Sequence, residues 1–112
     1  MSKLALTAIV LSALCSSPVW ADSADTQQMQ KDYMAPMAGM GDAMHQGVMS
    51  KDPDVAFAQG MLPHHQGAVD MAKVELKYGK DPQMRKLAET IIAAQQAEIK
   101  QLKAWLQAHP QK

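Results

Sequence analysis

The chain has 112 residues, and its 11 lysine and arginine residues balance 11 aspartate and glutamate residues. A chain of this length forms one small domain. Because neither sign of charge dominates and no basic run occurs, the composition argues against a nucleic-acid partner and against a polybasic membrane anchor.

Residues 1–21 have the pattern of a cleavable secretory signal peptide. Lys3 gives a positive start, residues 4–14 are apolar, and residues 19–21 place small side chains at the two positions that signal peptidase reads. An apolar stretch this short does not span a bilayer, which takes roughly 20 residues. We therefore predict a periplasmic or secreted protein that has no membrane association after cleavage.

Cys15, the only cysteine, falls within this predicted signal. The mature chain would then have no thiol, which excludes disulfides, cysteine-based zinc sites and thiolate catalysis. A lipoprotein acylated at Cys15 is the alternative, but the bulky Leu14 before it argues against acylation. No nucleophile has an adjacent base and no phosphate-binding loop occurs, so we expect no catalytic residues and no enzyme.

Residues 22–52 are predicted to form a methionine-rich N-terminal helical segment. Its helical stripe consists of Tyr33, Met37, Met40, Met44 and Val48. Pro36 would open this helix, and the nearby glycines would weaken it. The polar residues 22–31 could form either a short extra helix or a disordered tail.

Residues 53–112 are predicted to form a helical hairpin, in one domain with residues 22–52. Two Asp-Pro pairs, at 52–53 and 81–82, each place an N-cap aspartate before a proline in the first helical position. This combination is a strong signal for the start of a helix.

The first helix of the hairpin should run from about Pro53 to Tyr78, where Gly79 offers a left-handed C-cap. The second should run from about Pro82 to Ala108. Because no segment shows a strand pattern, we predict an all-α fold, a small antiparallel bundle of three to four helices.

Apolar periodicity predicts the buried face of each hairpin helix. In the second helix the seam consists of Met84, Leu87, Ile91, Gln95, Glu98, Leu102 and Trp105. In the first helix the buried arc consists of Ala58, Leu62, Val69, Ala72 and Leu76. His65 falls near the middle of this arc, where a buried imidazole would pair with Gln95 or Glu98.

The first hairpin helix carries a group of side chains that favour binding of a soft metal ion. Met61 lies one turn before His64 and His65, and Met71 lies two turns after His64. Imidazole nitrogen and thioether sulfur together suit Cu(I) or Ag(I). The alternative is that methionine, which occurs 10 times in the chain, serves as a flexible core filler.

The two adjacent histidines point about 100° apart on a helix, so they would not hold one ion together. His64 is the better ligand candidate, with Met61 and Met71 as sulfur partners. The N-terminal helix would supply Met37, Met40 or Met44. His65 remains open to two interpretations, a metal ligand or a core residue.

Several of these residues also carry a resemblance to a known family. The pattern is Phe57-x3-Met61-x-Pro63-His64-His65-Gln-Gly-Ala68-x2-Met71-Ala72, followed by Asp81-Pro82, Ile91-Ile92-x2-Gln95-x2-Glu98-Ile99 and Trp105-Leu106. It resembles the domain-of-unknown-function 305 family. This resemblance implies an exported helical bundle grouped with ferritin-like folds, and some members are implicated in copper or silver binding and resistance.

Two features limit what the resemblance implies. Leu102 stands where members often carry another methionine, which removes a possible sulfur ligand. Di-iron bundles need Glu-x-x-His motifs, whereas Glu75 is followed by Tyr78 and Glu98 by Gln101. We therefore expect no iron chemistry.

The sequence predicts an exported protein that binds Cu(I) or Ag(I) for copper homeostasis or resistance, with no other tightly bound cofactor. Its partners would be these ions and other periplasmic copper-handling proteins. The first alternative is a methionine-lined interaction module that binds an apolar helix. The second, a copper-dependent oxidase, fits poorly with four scattered histidines. The wide apolar arc also allows a homodimer that would cover it.

Overall fold

A computed structural model describes residues 23–111, which form three α-helices. They are α1 (Ala24–Gly47), α2 (Pro53–Tyr78) and α3 (Pro82–Ala108). No strand occurs in these residues, and the predicted all-α antiparallel bundle is confirmed with three helices. The predicted signal peptide, residues 1–21, lies outside the part that the structure describes.

Aspartates begin α2 and α3. The Asp52 carboxylate accepts hydrogen bonds from the amides of Asp54 and Val55, and the Asp81 carboxylate accepts one from the amide of Met84. Proline follows each cap, where its missing N–H would have had no helical partner. The predicted boundaries of both hairpin helices are confirmed.

The start of α1 differs from the prediction. Ser23 caps this helix by accepting a hydrogen bond from the Thr26 amide. Pro36 lies inside α1 rather than opening it, and most of residues 22–31 belong to the same helix. An interior proline costs about 3 kcal/mol. Contacts with α2 on both sides of Pro36 offset that cost, as described below.

The end of α2 also differs from the prediction. Gly79 has φ −70° and ψ 147°, an extended conformation rather than a left-handed one. The guanidinium of Arg85 explains the difference, because it donates to the carbonyl oxygens of Leu76 and Gly79, both at 2.9 Å. A side chain of α3 thus satisfies the Leu76 carbonyl at the end of α2 and the Gly79 carbonyl just beyond it.

Helix α2 is the centre of an open layer. It packs against α1 on one side and α3 on the other, and within the described chain α1 and α3 do not pack together. The buried apolar side chains are all small: Val55, Ala58, Val69, Ala72, Val74 and Ala88. No described helix is both long and apolar enough to cross a bilayer.

The predicted buried faces are only partly correct. In α2, Leu62 and Leu76 are half-buried, although the rest of the predicted arc is buried. In α3, Met84 and Leu87 are 44% and 49% exposed, and Ala88 is buried instead. Because the helices approach through small residues, the contact line runs through Ala88 and leaves the larger side chains at its margins.

Helices α1 and α2 approach each other closely at glycines. A Cβ atom on Gly47 would lie 2.5 Å from the carbonyl carbon and oxygen of Gln59. One on Gly60 would lie 2.8 Å from the Val48 side chain, and one on Gly67 would meet the Met40 sulfur. At Gly47 the neighbouring atoms are backbone, so only glycine permits this separation there; at Gly60 and Gly67 a side chain of α1 or of its C-cap fills the space instead.

Polar contacts fix the other half of α1. The Asp32 carboxylate accepts hydrogen bonds from Tyr78 Oη at 2.7 Å, Lys77 Nζ at 2.9 Å and Gln28 Nε2 at 2.8 Å. These donors lower the pKa of Asp32 from 3.8 to about 2. The carboxylate therefore stabilises the fold above pH 3.8, and this contribution is lost as the pH falls toward 2.

Two glycines of α1 should respond oppositely to the same substitution. Gly39→Ala adds a methyl group that meets nothing within 4 Å, so it should stabilise the protein by up to about 1 kcal/mol through helix propensity. Gly47→Ala forces apart two backbones and should destabilise it by about 1–3 kcal/mol. Urea unfolding of both variants measures this difference, and equal shifts would contradict the close approach.

Candidate metal centre

The α1–α2 contacts define an antiparallel register. Met40 packs over Gly67, and about two turns of helix earlier Tyr33 lies beside Glu75. Burial and the negative charge of Glu75 both raise the pKa of Tyr33. Each step forward along α1 therefore corresponds to an equal step backward along α2.

This register places the predicted sulfur donors of α1 and the predicted donors of α2 at the same levels along the helix axes. Four residues after Met40, Met44 reaches the level of His64. Three residues before Met40, Met37 reaches the level of Met71. The methionine stripe of α1 thus runs alongside the His64–Met71 edge of α2.

The surrounding contacts show which side of the layer carries this edge. Glu75, one turn after Met71, faces Tyr33 on one side of α1, whereas Lys77 bonds Asp32 on the other side. Residues seven apart return to nearly the same side of a helix. We call the side with Tyr33 and Glu75 the open face; on α2 it presents the row Phe57, His64 and Met71.

The candidate ligands differ in exposure. His64 is exposed, and Met71 and Met37 are 41% and 45% exposed. Met40 and Met44 are half-buried between the helices. An ion could reach this edge from solvent. Because methionine side chains are unbranched and flexible, their sulfur atoms could adjust to the ion.

His65 has a different environment from its neighbour. It is buried, with 7% exposure. Its Nδ1 donates to the carbonyl oxygen of Met61 at 2.9 Å, and its Nε2 is hydrogen-bonded to the Glu98 carboxylate. Both ring nitrogens thus bond to protein groups. This environment supports the interpretation of His65 as a core residue.

The two hydrogen bonds of His65 also define a proton count. A carbonyl oxygen only accepts, so Nδ1 carries a hydrogen. The bond between Nε2 and the Glu98 carboxylate then needs one further proton, on either the imidazole or the carboxyl group. Gln95, the other predicted partner, is not part of this pair; its buried Oε1 has no hydrogen-bond partner in the described chain.

A cavity of about 540 Å³ lies between α2 and α3 next to this pair. Its walls include Phe57, Met61, Leu102 and Trp105 together with His65 and Glu98. The predicted ligand set is therefore divided, because Met61 faces α3 whereas His64 and Met71 border α1. The sequence did not indicate this cavity, since Phe57 and Trp105 are remote in the chain.

Hard-metal donors do not gather at the open face. Residues 23–111 contain no group of three or more histidine, cysteine, aspartate or glutamate side chains placed to hold an ion. The soft donors that the register places level with His64 and Met71 are the thioethers of α1. Such a donor set discriminates against calcium and magnesium.

The fold and this edge define a small all-α domain with a methionine–histidine surface. A family model described as "Domain of unknown function (DUF305)" matches residues 8–106, and the chain belongs to this family.

A curated relative is similar to part of the chain. Over 53 residues the chain is 40% identical to "Uncharacterized protein L153" of Acanthamoeba polyphaga mimivirus. The matched segment is 47% of this chain and 35% of the viral protein, so the chain spans about a third of that relative's length. Neither description names an activity.

Removal of the Glu98 carboxylate separates the core role of His65 from metal binding. Glu98→Leu leaves the buried Nε2 without its partner, which should destabilise the fold by about 1–2 kcal/mol. The half-exposed position of Glu98, at 56%, keeps this value at the lower end. Metal uptake should change little.

Glu89→Leu, on the exposed surface of α3, is the matched control and should leave stability nearly unchanged. Urea unfolding and Cu(I) titration of both variants measure the two effects. A Glu98→Leu protein with normal stability and lost metal uptake would reassign His65 to the metal.

Proposed function

We propose that the protein is an exported, non-enzymatic metal-binding protein that holds Cu(I) or Ag(I) for copper homeostasis or resistance. The observation that supports this function best is the matched height of the α1 methionines and the His64–Met71 edge. The ligand set that we propose is His64 and Met71 of α2 with Met37, Met40 and Met44 of α1.

Helix geometry explains why α1 is needed. His64 and Met71 are seven residues apart, which separates their Cα atoms by about 10.5 Å along the helix axis. At this separation one ion would need further ligands from another helix to bind near both side chains. Met44 of α1 lies at the level of His64, and Met40 lies between the two levels. We therefore propose that thioethers of α1 complete one site together with His64 and Met71.

Ligand chemistry favours a monovalent soft ion at this edge. Thioether and imidazole donors bind Cu(I) well, whereas divalent hard ions prefer carboxylate oxygen. A thioether also stays a ligand in an oxidising compartment, where a thiolate would form disulfides. This property agrees with the proposed periplasmic location of the mature chain.

His65 and Met61 are not in the proposed primary set. Metal binding by His65 would break its bonds to Glu98 and to the Met61 carbonyl, at the cost of leaving buried polar groups unpaired. Met61 faces the cavity beside α3, so its sulfur is a reserve donor that a change of side-chain rotamer could bring toward His64.

Exposure of His64 and Met71 suits a protein that gives up its ion. A partner can approach the edge directly and accept the metal by ligand exchange, without unfolding the layer. We therefore propose that the physiological partners include other periplasmic copper-handling proteins.

A second candidate function is a protein-interaction module. It is favoured by the exposed apolar side chains of the open face, among them Phe57 at 63% and Leu87 at 49%. Methionine-rich surfaces can repack around different apolar segments. This function predicts saturable binding of a protein and no dependence on copper.

A Cu(I) competition titration with a chromophoric chelator tests the metal function. The wild-type protein should bind more tightly than micromolar, and His64→Ala and Met71→Ala should each weaken binding at least tenfold, which corresponds to about 1.4 kcal/mol. Met37→Ala should weaken it as well, because this thioether is proposed as a ligand from α1.

His45→Ala and Met84→Ala remove the same side-chain types from exposed positions outside the proposed set, and they should bind like the wild type. A wild-type affinity no better than micromolar would reject the metal function. Equal affinity in the His64→Ala and His45→Ala proteins would reject the assigned ligands.

A further inference from the structure

The cavity between α2 and α3 is lined by none of the five proposed metal ligands. Its volume of about 540 Å³ falls in the range of pockets that hold small organic ligands. On α2 its wall extends from Asp54 to His65, which corresponds to about 16 Å along the helix axis. The cavity therefore has the size of a ligand site and an elongated shape.

The middle of this cavity is apolar. The bond between His65 and Glu98 fixes the antiparallel register of α2 and α3. Met61 lies four residues before His65 on α2. Leu102 lies four residues after Glu98 on α3, and so at the level of Met61. An alkyl chain placed between these two side chains, which both line the cavity, would leave water for an apolar environment.

One end of the cavity presents hydrogen-bond acceptors from α3. Glu98 bonds His65 through Oε2, and its Oε1 accepts no hydrogen bond within residues 23–111. The Glu98 side chain is 56% exposed, so a ligand can reach it. Gln101, about one turn later, also lines the cavity, and its amide oxygen can accept a hydrogen bond. A primary ammonium group, which has three donors, matches these acceptors.

The other end presents a carboxylate near two aromatic rings. Asp54 lines the cavity there, and neither ion pair of residues 23–111 includes it. Phe57 and Trp105 line the cavity within about one turn of Asp54 along the helix axes. His109 stacks on one face of Trp105 with ring centroids 4.0 Å apart, which leaves the opposite indole face for a ligand. A carboxylate near aromatic faces attracts an organic ammonium ion.

The charge of the lining selects a cation. Asp54 and Glu98 line the cavity with one imidazole, and no lysine or arginine lines it, although the chain has 11 such residues. Even a positively charged His65 would therefore leave net negative charge on the walls. Because the two carboxylates belong to opposite ends, one ligand would bond both only with a cationic group at each of its own ends.

We propose that the α2–α3 cavity binds a linear aliphatic diammonium ion, the chemical class of diamines and polyamines. One ammonium group bonds Oε1 of Glu98. The other lies at Asp54, against the uncovered face of Trp105, and the methylene chain packs along Met61 and Leu102. This binding needs no metal ion, so the proposal does not depend on the proposed function.

Calorimetry with probes of one chain length and different charge tests the ligand class. In metal-free buffer the full chain should bind octamethylenediamine with a Kd of about 10–100 μM, within the affinity that a ligand of this size can reach. n-Octylamine lacks the second ammonium group and should bind about fivefold more weakly. Suberate, a chain of similar length with a carboxylate at each end, should show no binding.

Neutral substitutions of nearly equal size test the two ends. Asp54→Asn and Glu98→Gln should each weaken octamethylenediamine binding about fivefold. The Asp52 cap of α2 is retained in both variants, so their helical circular dichroism should match the wild type. The matched controls are Asp70→Asn on α2 and Glu89→Gln on α3, which are exposed outside the cavity and should bind like the wild type.

Tryptophan emission tests whether the probe enters this cavity. The chain has two tryptophans, so Trp20→Phe leaves Trp105 as the single emitter. Octamethylenediamine should shift or quench this emission with the Kd found by calorimetry. An emission unchanged at saturation would place the probe elsewhere and overturn the proposed site.

Three further results would overturn the proposal. A wild-type Kd weaker than about 1 mM would exclude a diammonium site. Equal binding of suberate or n-octylamine would show an apolar groove without charge selection. Wild-type affinity in both Asp54→Asn and Glu98→Gln would reject the assigned ends. None of these results involves copper, so the Cu(I) titration tests the proposed function separately.

Discussion

The close approach of α1 to α2 is the constraint on which the rest of the structure depends. At Gly47 the backbone of Gln59 occupies the space of a Cβ, and at Gly67 the Met40 side chain occupies it. The backbones can be this near at Gly47 only because glycine has no side chain. Their separation fixes the register of α1, which in turn brings Met37 and Met44 to the levels of Met71 and His64.

The same small-residue packing explains the unusual distribution of apolar side chains. Helices joined through alanine, valine and glycine bury little area per residue, so their mutual packing contributes modest hydrophobic stabilisation. The larger methionine, leucine and aromatic side chains remain at the margins. A surface of flexible thioethers is thereby available for the soft-metal binding that we propose.

The starts of α2 and α3 could be predicted because their signals are local. An aspartate cap followed by proline acts within one helical turn and depends little on the remainder of the fold. The start of α1 could not be predicted in the same way. Pro36 is unfavourable locally, and only the contacts of Asp32 and Met40 with α2 show why the helix continues through it.

The candidate site was predictable only in its composition. Helical spacing placed His64 and Met71 on one edge and His65 in the buried arc, and the structure agrees with this division. The register of α1 along α2 depends on tertiary packing, which no local sequence pattern encodes. The shift of the α3 contact line to Ala88 has the same origin.

The proposed function requires that sulfur from α1 and nitrogen from His64 bind the same ion. X-ray absorption at the copper edge of the Cu(I)-loaded protein measures this directly. We predict a shell containing both sulfur and imidazole nitrogen, with the nitrogen contribution lost in His64→Ala and the sulfur contribution reduced when Met37, Met40 and Met44 are replaced by leucine. A shell of nitrogen and oxygen alone, or one unchanged by His64→Ala, would contradict the proposed site.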